Sequence, residues 1–529
     1  MNNSSLKKRL LSVAMAAVMV FSLLPATAWA AMAENLSAAS GQTRTEQKRG
    51  GSDTYTVTRD VKSVAAAQTG AVKKVVCLDL TTGEDQVSLD ADGGYRWVAG
   101  ANYLYLYKVQ IEAEGSNALI LPAGATVEVV GKCSITGGGA NECAVWSKGD
   151  VTVGLGQDAT LTVNGLGWRA EGNLTVAHAY DAYTGGELTV NYNGTSSDNG
   201  TSGAAIYMGG NTLRVEQGAR VTANGSGIGN VKAKDSCGVK GAVYVDGGAE
   251  LVADGGSAGS AGISYGIFGD VTVKNGTVTA TGGSGLQSYG VSGNSVSVSD
   301  GGVLNAIGGT AVQDLNSGIK PISGGIYLGN NAVIENAAVN ANGGVAPCGD
   351  SFASVGLQMT SRSEVTVNSG GVLNANGGQL TNGSSANESN GFSAGINMMD
   401  ASEANLFVNG TGRVTAIGNP ERLDGGTVIS YGVNHTDMGE LTIELSGVAS
   451  FKAAGGTAAS RAAFTPDTVS IKGSEAYRDF DNVTDGYKFL NSTYVRNDVP
   501  AQSLEVTVCD HRAGVTNGKC NNCGAEVAA

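Results

Sequence analysis

Short segments in which apolar and polar residues alternate recur along most of the chain, and Asn-Gly, Asp-Gly and Gly-Gly pairs separate them. Alternation with a period of two, together with a high content of Val, Thr and Ile, predicts short β-strands. Residues 271–273 and 277–280 are two such segments within one repeat. The pattern therefore predicts a chain of many short strands joined by tight turns.

A repeating unit emerges when the tracts 236–256, 264–283 and 288–309 are aligned. Ten copies align on one small residue, here named the anchor residue, and successive anchors lie between 23 residues (Ala144 to Gly167) and 39 residues (Gly356 to Gly395) apart. The shortest copies have room for three strands and three turns. The extra residues of the longer copies fall mainly between the closing Gly-Gly and the next anchor. The ten anchors are Ala144, Gly167, Ala205, Gly238, Gly266, Gly290, Gly325, Gly356, Gly395 and Gly432.

The residue after the anchor is apolar in all ten copies, which predicts an inward stack in which each copy covers the next. Alternation predicts that the residue before the anchor also points inward, which gives Cys143 and Cys237 a role in packing. A β-meander or a propeller is the alternative, but a propeller blade needs four strands and about 40 residues. The sequence therefore predicts an all-β fold, a right-handed parallel β-helix of ten to eleven three-strand coils with small terminal caps.

The ends of the chain differ from the repeats. Lys7, Lys8 and Arg9 precede the apolar residues 10–24, and residues 28–30 have the small-x-small pattern of a signal-peptide cleavage site. We expect an extracellular protein, secreted or associated with the cell surface, without a membrane span in its mature chain. The predicted segments are a signal peptide (1–30), a flexible leader (31–55), an N-terminal cap (56–114), the parallel β-helix (115–460), a C-terminal cap (461–508) and a Cys/His tail (509–529).

Composition and charge exclude one class of partner. Without the signal peptide the chain has 30 basic and 47 acidic residues, a net charge of −17. Proteins that bind nucleic acid present a basic face, so we expect no nucleic-acid partner. The 81 glycines would suit a disordered chain, but 41% of the residues are hydrophobic and alternate regularly, which predicts a packed core.

Candidate ligand-binding residues occupy the outward position two residues after the anchor. Aromatic residues fill it in every second copy over the first seven copies, and strands two apart are separated by about 9.6 Å. That distance is close to the length of a disaccharide, so the rings can stack on alternate sugars while the basic residues donate hydrogen bonds. The six residues are Trp146, Arg169, Tyr207, Lys240, Phe268 and Tyr327, here named the aromatic strip.

The aromatic strip predicts a carbohydrate-binding or adhesive, non-enzymatic role with a polysaccharide or glycoconjugate partner. Two alternatives remain open for these residues. Exposed strand positions favour aromatic residues for packing alone, and inserted loops can also fold over the rings. Either alternative makes the chain a passive structural or spacer protein of the cell surface.

The sequence contains no complete catalytic constellation that we recognise. A glycosidase needs two carboxylates facing one site, whereas Asp150 and Asp270 are separated by four copies. His178 and His435 are expected at the surface, with no evident nucleophile to activate. A polysaccharide lyase or glycoside hydrolase with an unrecognised site is the alternative function.

The tail carries a possible metal site. Cys509, His511, Cys520 and Cys523 form a C-x-H-x8-C-x2-C pattern. Four soft or borderline ligands within fifteen residues suit tetrahedral zinc, and four protein ligands make the site structural rather than catalytic. A disulfide between Cys520 and Cys523, or between Cys509 and either of them, is the alternative.

The three-strand coils with glycine-rich corners, over about residues 115–460, resemble the pectin-lyase-like right-handed β-helix superfamily. Lyases and hydrolases of that superfamily carry acidic and basic residues on the outward face of their strands, whereas the outward positions here hold mainly aromatic and amide residues. The chain is also similar to repetitive exported proteins of Gram-positive gut anaerobes, through residues 23–30 and the terminal Cys/His knuckle. That likeness implies a carbohydrate-binding protein.

Overall fold

The computed structural model describes residues 73–456 with short gaps, together with isolated strands on either side. The gaps are residues 140–141, 181–182, 194–202, 226–234, 259–261, 314–319, 348–352, 382–390, 399–402, 420–428 and 436–440. The isolated strands are Gln42–Gln47, Thr54–Arg59, Ser460–Phe464, Val469–Lys472, Ala476–Asp479, Lys488–Leu490, Thr493–Arg496, Val499–Pro500, Ser503–Val508, Val515–Thr516 and Lys519–Cys520. The predicted signal peptide lies outside the described residues.

The described chain is almost entirely β, with a single 3-10 turn at Ala99–Ala101. Most strands pair in parallel with strands one repeat away, so that the chain visits three ladders in order and advances one strand per repeat. Val271, for example, pairs with Val243 in the preceding repeat and with Val296 in the following one. This confirms an all-β fold built mainly of parallel strands in large sheets.

The three ladders are named by their order in the repeat. The anchor ladder contains Leu78–Asp79, Leu119–Leu121, Val145–Ser147, Trp168–Ala170, Ile263–Phe268, Ala353–Met359, Phe392–Met398, Ile429–His435 and Ser460–Phe464. The second ladder contains Tyr103–Tyr107, Ala125–Val130, Val151–Leu155, Leu174–His178, Val271–Lys274, Glu364–Val367, Ala404–Val408, Leu441–Leu445 and Val469–Lys472. Four long strands pass through both ladders and join them into one 24-stranded sheet: Ala204–Val215, Asp235–Asp246, Gln287–Ser299 and Ile322–Glu335.

The third ladder lies in a separate 15-stranded sheet. It contains Lys73–Val76, Val109–Glu112, Lys132–Gly137, Thr160–Gly165, Glu187–Tyr192, Arg220–Asn224, Glu250–Asp254, Thr277–Thr281, Val303–Ile307, Ala338–Asn342, Val372–Asn376, Arg413–Ile417 and Ser450–Ala454. A short four-stranded sheet, which the repeat pattern does not predict, follows it in four copies: Ser284–Gly285, Thr310–Ala311, Val345–Pro347 and Gln379–Thr381.

One continuous apolar core fills the space between the ladders. All ten residues that follow an anchor are buried in it, so the predicted inward stack is confirmed: Val145, Trp168, Ile206, Val239, Ile267, Val291, Ile326, Leu357, Ile396 and Val433. Burial of each such side chain contributes about 1.5–3 kcal/mol. Because each repeat covers its neighbours, the contribution accumulates along the chain.

The anchor is small because backbone lies directly against it. A Cβ atom on Gly266 would lie 2.6 Å from the amide nitrogen of Thr281 in the third ladder and 2.6 Å from the carbonyl oxygen of Gly290. A Cβ atom on Gly290 would lie 2.4 Å from the amide nitrogen of Ile307. At these two copies the anchor ladder and the third ladder therefore meet at distances that exclude a side chain.

The prediction that residues before the anchor enter the same core is wrong for most copies. Six of them form part of a second apolar cluster, separate from the core: Ala204, Cys237, Tyr265, Tyr289, Val355 and Ala394. The rings of Tyr265 and Phe268 lie 4.8 Å apart, so the residue before the anchor and the residue two after it share one side of the strand. The alternation breaks because both Gly266 and Ile267 face the interior.

The cysteines with described side chains fit a packing role where they are buried. Cys133, Cys143 and Cys237 are buried and free, whereas Cys77 is free and exposed. Burial raises the pKa of the Cys143 thiol to about 11 and that of the Cys237 thiol to about 12. These thiols therefore remain protonated. Cys133 and Cys237 act as small apolar groups within the two apolar clusters, whereas the Cys143 thiol donates a hydrogen bond to Asn117 Oδ1 at 3.3 Å.

Antiparallel strands border the parallel ladders at both ends. Gln86–Leu89 and Gly94–Val98 form a hairpin whose second strand pairs with Tyr103–Tyr107, the first strand of the second ladder. Ser503–Val508 pairs antiparallel with Ser450–Ala454 and with Ala476–Asp479. Such pairing covers strand edges that would otherwise be open to other chains. Among the described residues, no helix is long and apolar enough to cross a membrane.

Candidate functional site

The outward positions two residues after the anchors form one continuous row across the anchor ladder, here named the outward row. Trp146 pairs with Arg169, Arg169 with Tyr207, and Tyr207 with Lys240. The row then passes through Phe268 and Ser292 to Tyr327 and continues through Gln358, Asn397 and Asn434. The register thus aligns all six residues of the aromatic strip on neighbouring strands.

At the start of the aromatic strip, three charged side chains surround the indole ring of Trp146. Trp146 donates a hydrogen bond from Nε1 to Glu171 at 3.0 Å, and Arg169 forms an ion pair with Glu171 at 3.7 Å. The guanidinium carbon of Arg169 lies 5.5 Å from the centre of the Trp146 ring, and the ammonium of Lys148 also lies over that ring. Arg169 and Glu171 retain side-chain exposures of 40% and 38%, so this cluster is open to solvent.

The middle of the strip repeats the alternation of ring and cation. The Nζ atom of Lys240 lies 5.9 Å from the ring centre of Tyr207 and 5.6 Å from that of Phe268. Cation–π contacts of this kind contribute about 0.5–1 kcal/mol at exposed sites. Phe268 is 40% exposed, and Tyr207 is partly exposed. The rings therefore keep accessible surface although the lysine is attracted to them.

The strip rests on the second apolar cluster. The ring centres of Tyr265 and Tyr289 lie 6.2 Å apart in a stacked arrangement, and Tyr289 meets Tyr327 edge to face at 5.5 Å. Burial raises the pKa of both Tyr265 and Tyr289 well above the ordinary phenol value, with smaller contributions from neighbouring groups. Tyr207 and Tyr327 pack against the same cluster, which limits the orientations of their rings.

The far end of the outward row differs from the expectation of an exposed face. Gln358, Asn397 and Asn434 are buried, at 2%, 1% and 0% exposure, and Ser292 is buried at 7%. Asn434 donates a hydrogen bond from Nδ2 to Asn397 Oδ1 at 2.7 Å, and the hydroxyl of Tyr289 lies 3.4 Å from Gln358 Oε1. This amide run is a buried structural element, so the accessible part of the row ends near Tyr327.

A serine ladder supports the anchor strands, and sequence reasoning missed it. The serine two residues before the anchor is buried in successive copies and bridges two turns. Ser323 donates from Oγ to the carbonyl oxygen of Gly309 at 2.8 Å and accepts from the amide of Gly344 at 3.0 Å. The serine at this position in consecutive copies was the available signal: Ser236, Ser264, Ser288, Ser323, Ser354, Ser393 and Ser430.

The histidines and carboxylates considered for catalysis have structural positions. The expectation that His178 and His435 lie at the surface is wrong, because they are 4% and 0% exposed at the ends of packed strands. Burial lowers the pKa of His178, whose Nδ1 lies within hydrogen-bond distance of the Tyr183 carbonyl oxygen. Asp270 accepts hydrogen bonds from the amides of Asn294 and Ser295, at 3.0 and 2.9 Å. Asp150 similarly accepts from the amide of Asn173 at 2.7 Å.

The predicted zinc ligands Cys509, His511, Cys520 and Cys523 lie outside the residues whose side chains are described. Within the described ranges, no group of three or more His, Cys, Asp or Glu side chains is placed to hold a metal ion. The tail therefore remains the predicted metal site.

Comparisons with known proteins add no relative. No family model, no curated protein and no solved structure matches the chain. The outward row itself is therefore the basis for a functional proposal.

Proposed function

We propose that the chain is a right-handed parallel β-helix of the pectin-lyase-like type, secreted or held at the cell surface, which binds a polysaccharide or glycoconjugate through the aromatic strip. Binding is adhesive or carbohydrate-recognising and involves no catalysis. The three parallel ladders, visited in constant order, support the β-helix. The strip of half-exposed rings supports the binding role.

One observation carries the proposal, namely the register of the anchor ladder. Trp146, Tyr207, Phe268 and Tyr327 occupy every second strand of a continuous outward row. Strands two apart are separated by about 9.6 Å, so the four rings repeat at about the length of one disaccharide. Sugar rings present apolar C–H faces that pack on aromatic rings. The four aromatic rings of this row can therefore each stack on one sugar, and together they contact every second sugar of a polysaccharide.

The cations between the rings supply the polar half of the recognition. Arg169 lies between Trp146 and Tyr207, and Lys240 lies between Tyr207 and Phe268, so two of the three sugars between stacked sugars face a cationic hydrogen-bond donor. A sugar that packs on Tyr207 or Phe268 replaces part of the contact that these rings make with Lys240. The lysine then remains beside the ligand, where it donates to hydroxyl oxygens.

The test is binding of the chain without residues 1–30 to a panel of plant, mucin and bacterial polysaccharides. The Trp146→Ala/Tyr207→Ala variant removes two stacking rings, and we expect affinity to fall by about five- to 150-fold, since each aromatic contact contributes about 0.5–1.5 kcal/mol. Tyr244→Ala is the matched control, because Tyr244 is an aromatic residue of the second ladder that also lies beside a cation, with Arg214 at 4.4 Å.

Each outcome decides between the functions considered. Binding that the strip variant loses and the Tyr244 variant keeps, without release of sugar fragments, supports the adhesive role. Release of fragments favours a lyase or a glycoside hydrolase. Absence of binding to every polymer favours a passive spacer protein and removes the main proposal.

We also propose that Cys509, His511, Cys520 and Cys523 bind one structural zinc ion. Metal analysis of the purified chain should find about one zinc per chain, and Cys520→Ser should abolish it. Thiol titration separates this from the disulfide alternative, since a disulfide consumes two thiols and retains no metal.

A further inference from the structure

The outer face of the third ladder changes character along the chain. Its earlier strands carry charges, and Arg220 lies 3.9 Å from Glu187 and 3.7 Å from Glu250. The four strands from Thr277 to Asn376 present outward positions that are half-buried and uncharged: Thr277, Thr279, Thr281, Val303, Asn305, Ile307, Ala338, Asn340, Asn342, Val372, Asn374 and Asn376. This set is here named the amide face.

Asparagine ladders run across the amide face from strand to strand. Asn340 donates from Nδ2 to Asn305 Oδ1 at 2.9 Å, and Asn374 donates to Asn340 at 2.9 Å. Asn376 donates to Asn342 at 2.9 Å in a parallel row. Each amide has two N–H groups and two oxygen lone pairs, so a ladder bond on either side leaves one donor and one acceptor for a partner. The amide face therefore repeats an amide donor and acceptor on three of its four strands, and threonine hydroxyls occupy the outward positions of the first.

We propose that the amide face binds the amide face of a second copy of this chain, forming a symmetric dimer. The donors and acceptors repeat with the strand spacing of about 4.8 Å, and the same ladder in a second copy repeats its groups with that period. Because every asparagine offers both a donor and an acceptor, the surface is complementary to itself, as a two-fold interface requires.

Charge favours the same partner and the same face. The chain carries a net charge of −14, so two copies repel each other overall. The amide face has no charged residue among its twelve outward positions, so that two copies can approach there without direct repulsion. It also has no aromatic ring, unlike the aromatic strip, so it lacks the stacking surface that a glycan uses.

The area of the amide face determines how tightly two copies of the chain are expected to bind. Four strands spaced about 4.8 Å apart and five residues of about 3.3 Å give a flat area on the order of 300 Å². This is below the roughly 800 Å² per partner of a standard stable interface. The dimer should therefore be weak, with a dissociation constant above about 1 µM, the weak limit of standard interfaces, and should form more readily where copies are concentrated.

Sedimentation analysis of the chain without residues 1–30, over a concentration series that runs upward from about 1 µM, tests the dimer. The average mass of the wild-type chain should rise from one copy toward two. Asn340→Asp places a carboxylate at the centre of the amide face, and the mass should stay at one copy at every concentration. Asn191→Asp is the matched control, because Asn191 is also central in a ladder, donating to Asn164 and accepting from Asn224.

Retention of the dimer in the Asn191 variant together with its loss in the Asn340 variant supports the proposal. A wild-type chain that stays monomeric, a dimer that survives both substitutions, or a dimer lost in both overturns it. Thr279→Glu adds a charge to the same face outside the asparagine ladders and should also give a monomer. This second variant keeps the proposal testable if Asn340→Asp fails to fold by circular dichroism.

Discussion

The two ends of the outward row share a backbone position and differ in what surrounds them. At one end, rings and cations alternate on open strands, and Phe268 is 40% exposed. At the other end, Gln358, Asn397 and Asn434 are almost completely buried, and two of them are hydrogen-bonded to each other. The comparison teaches that the repeat determines register, while the surroundings of each copy decide whether an outward position is accessible to solvent or part of the interior.

Substitutions at the buried end of the outward row, which holds Gln358, Asn397 and Asn434, should have the largest effect on the free energy of unfolding. In Asn397→Leu, the buried Asn434 amide loses its acceptor, and the free energy of unfolding should fall by about 1–3 kcal/mol. Asn397→Leu/Asn434→Leu removes both polar groups and should recover most of that loss. Urea unfolding followed by circular dichroism measures both variants. Equal losses in the single and the double variant would show that the pair is not a unit.

Tyr289 lies at the boundary between the two ends, where it contacts both Tyr327 and Gln358. It should make the free energy of unfolding depend on pH in alkaline solution. Burial raises the pKa of Tyr289, so its phenol is held protonated in the folded chain. The contribution of Tyr289 to the free energy of unfolding is fully present below the pKa of about 10 that a tyrosine has in the unfolded chain. Above that pH the unfolded chain loses the proton and the folded chain keeps it, so the free energy of unfolding falls by about 1.4 kcal/mol per pH unit. Tyr289→Phe removes the group and should reduce this slope between pH 10 and 11. Urea midpoints at each pH measure it, and an unchanged slope would contradict the assignment.

A substitution at the exposed end of the outward row, where rings and cations alternate, should have the smallest effect on the free energy of unfolding. Lys240→Met keeps the aliphatic stem and removes the charge beside Tyr207 and Phe268, so the free energy of unfolding should fall by about 0.5–1 kcal/mol. Lys274→Met is the control, because its exposed ion pair with Asp300, at 3.8 Å, involves no ring. We expect that control to change stability by less than about 0.5 kcal/mol. Equal changes in both variants would mean that the rings add nothing to the lysine contact.

Much of the fold could be predicted because each repeat has a recognisable local pattern of apolar residues and glycines. The apolar residue after each anchor and the closing glycine pairs indicate three stacked strands per copy, and the parallel ladders agree with this. Alternation alone failed at the anchor, where Gly266 and Ile267 both face inward. That break follows from backbone contact between two ladders, which no period-two pattern contains.

Less of the candidate site could be predicted. The alignment of Trp146 with Arg169 and Tyr207 follows from the repeat, since equal positions in successive copies pair. The placement of Lys240 beside two rings depends on side-chain conformation, and the burial of Asn397 does not follow from its repeat position, because Phe268 at the same position is 40% exposed. The serine ladder could have been recognised, because Ser264, Ser288 and Ser323 precede their anchors by the same two residues.

The direction of the ladder hydrogen bonds has a mechanical consequence. These bonds run from one repeat to the next, so tension between the ends of the chain acts on the bonds of one terminal repeat at a time. Each repeat of 23 to 39 residues that detaches lengthens the stretched chain by on the order of 100 Å. Under tension, such a chain would yield in successive steps and shorten again as repeats rejoin, instead of rupturing in one event.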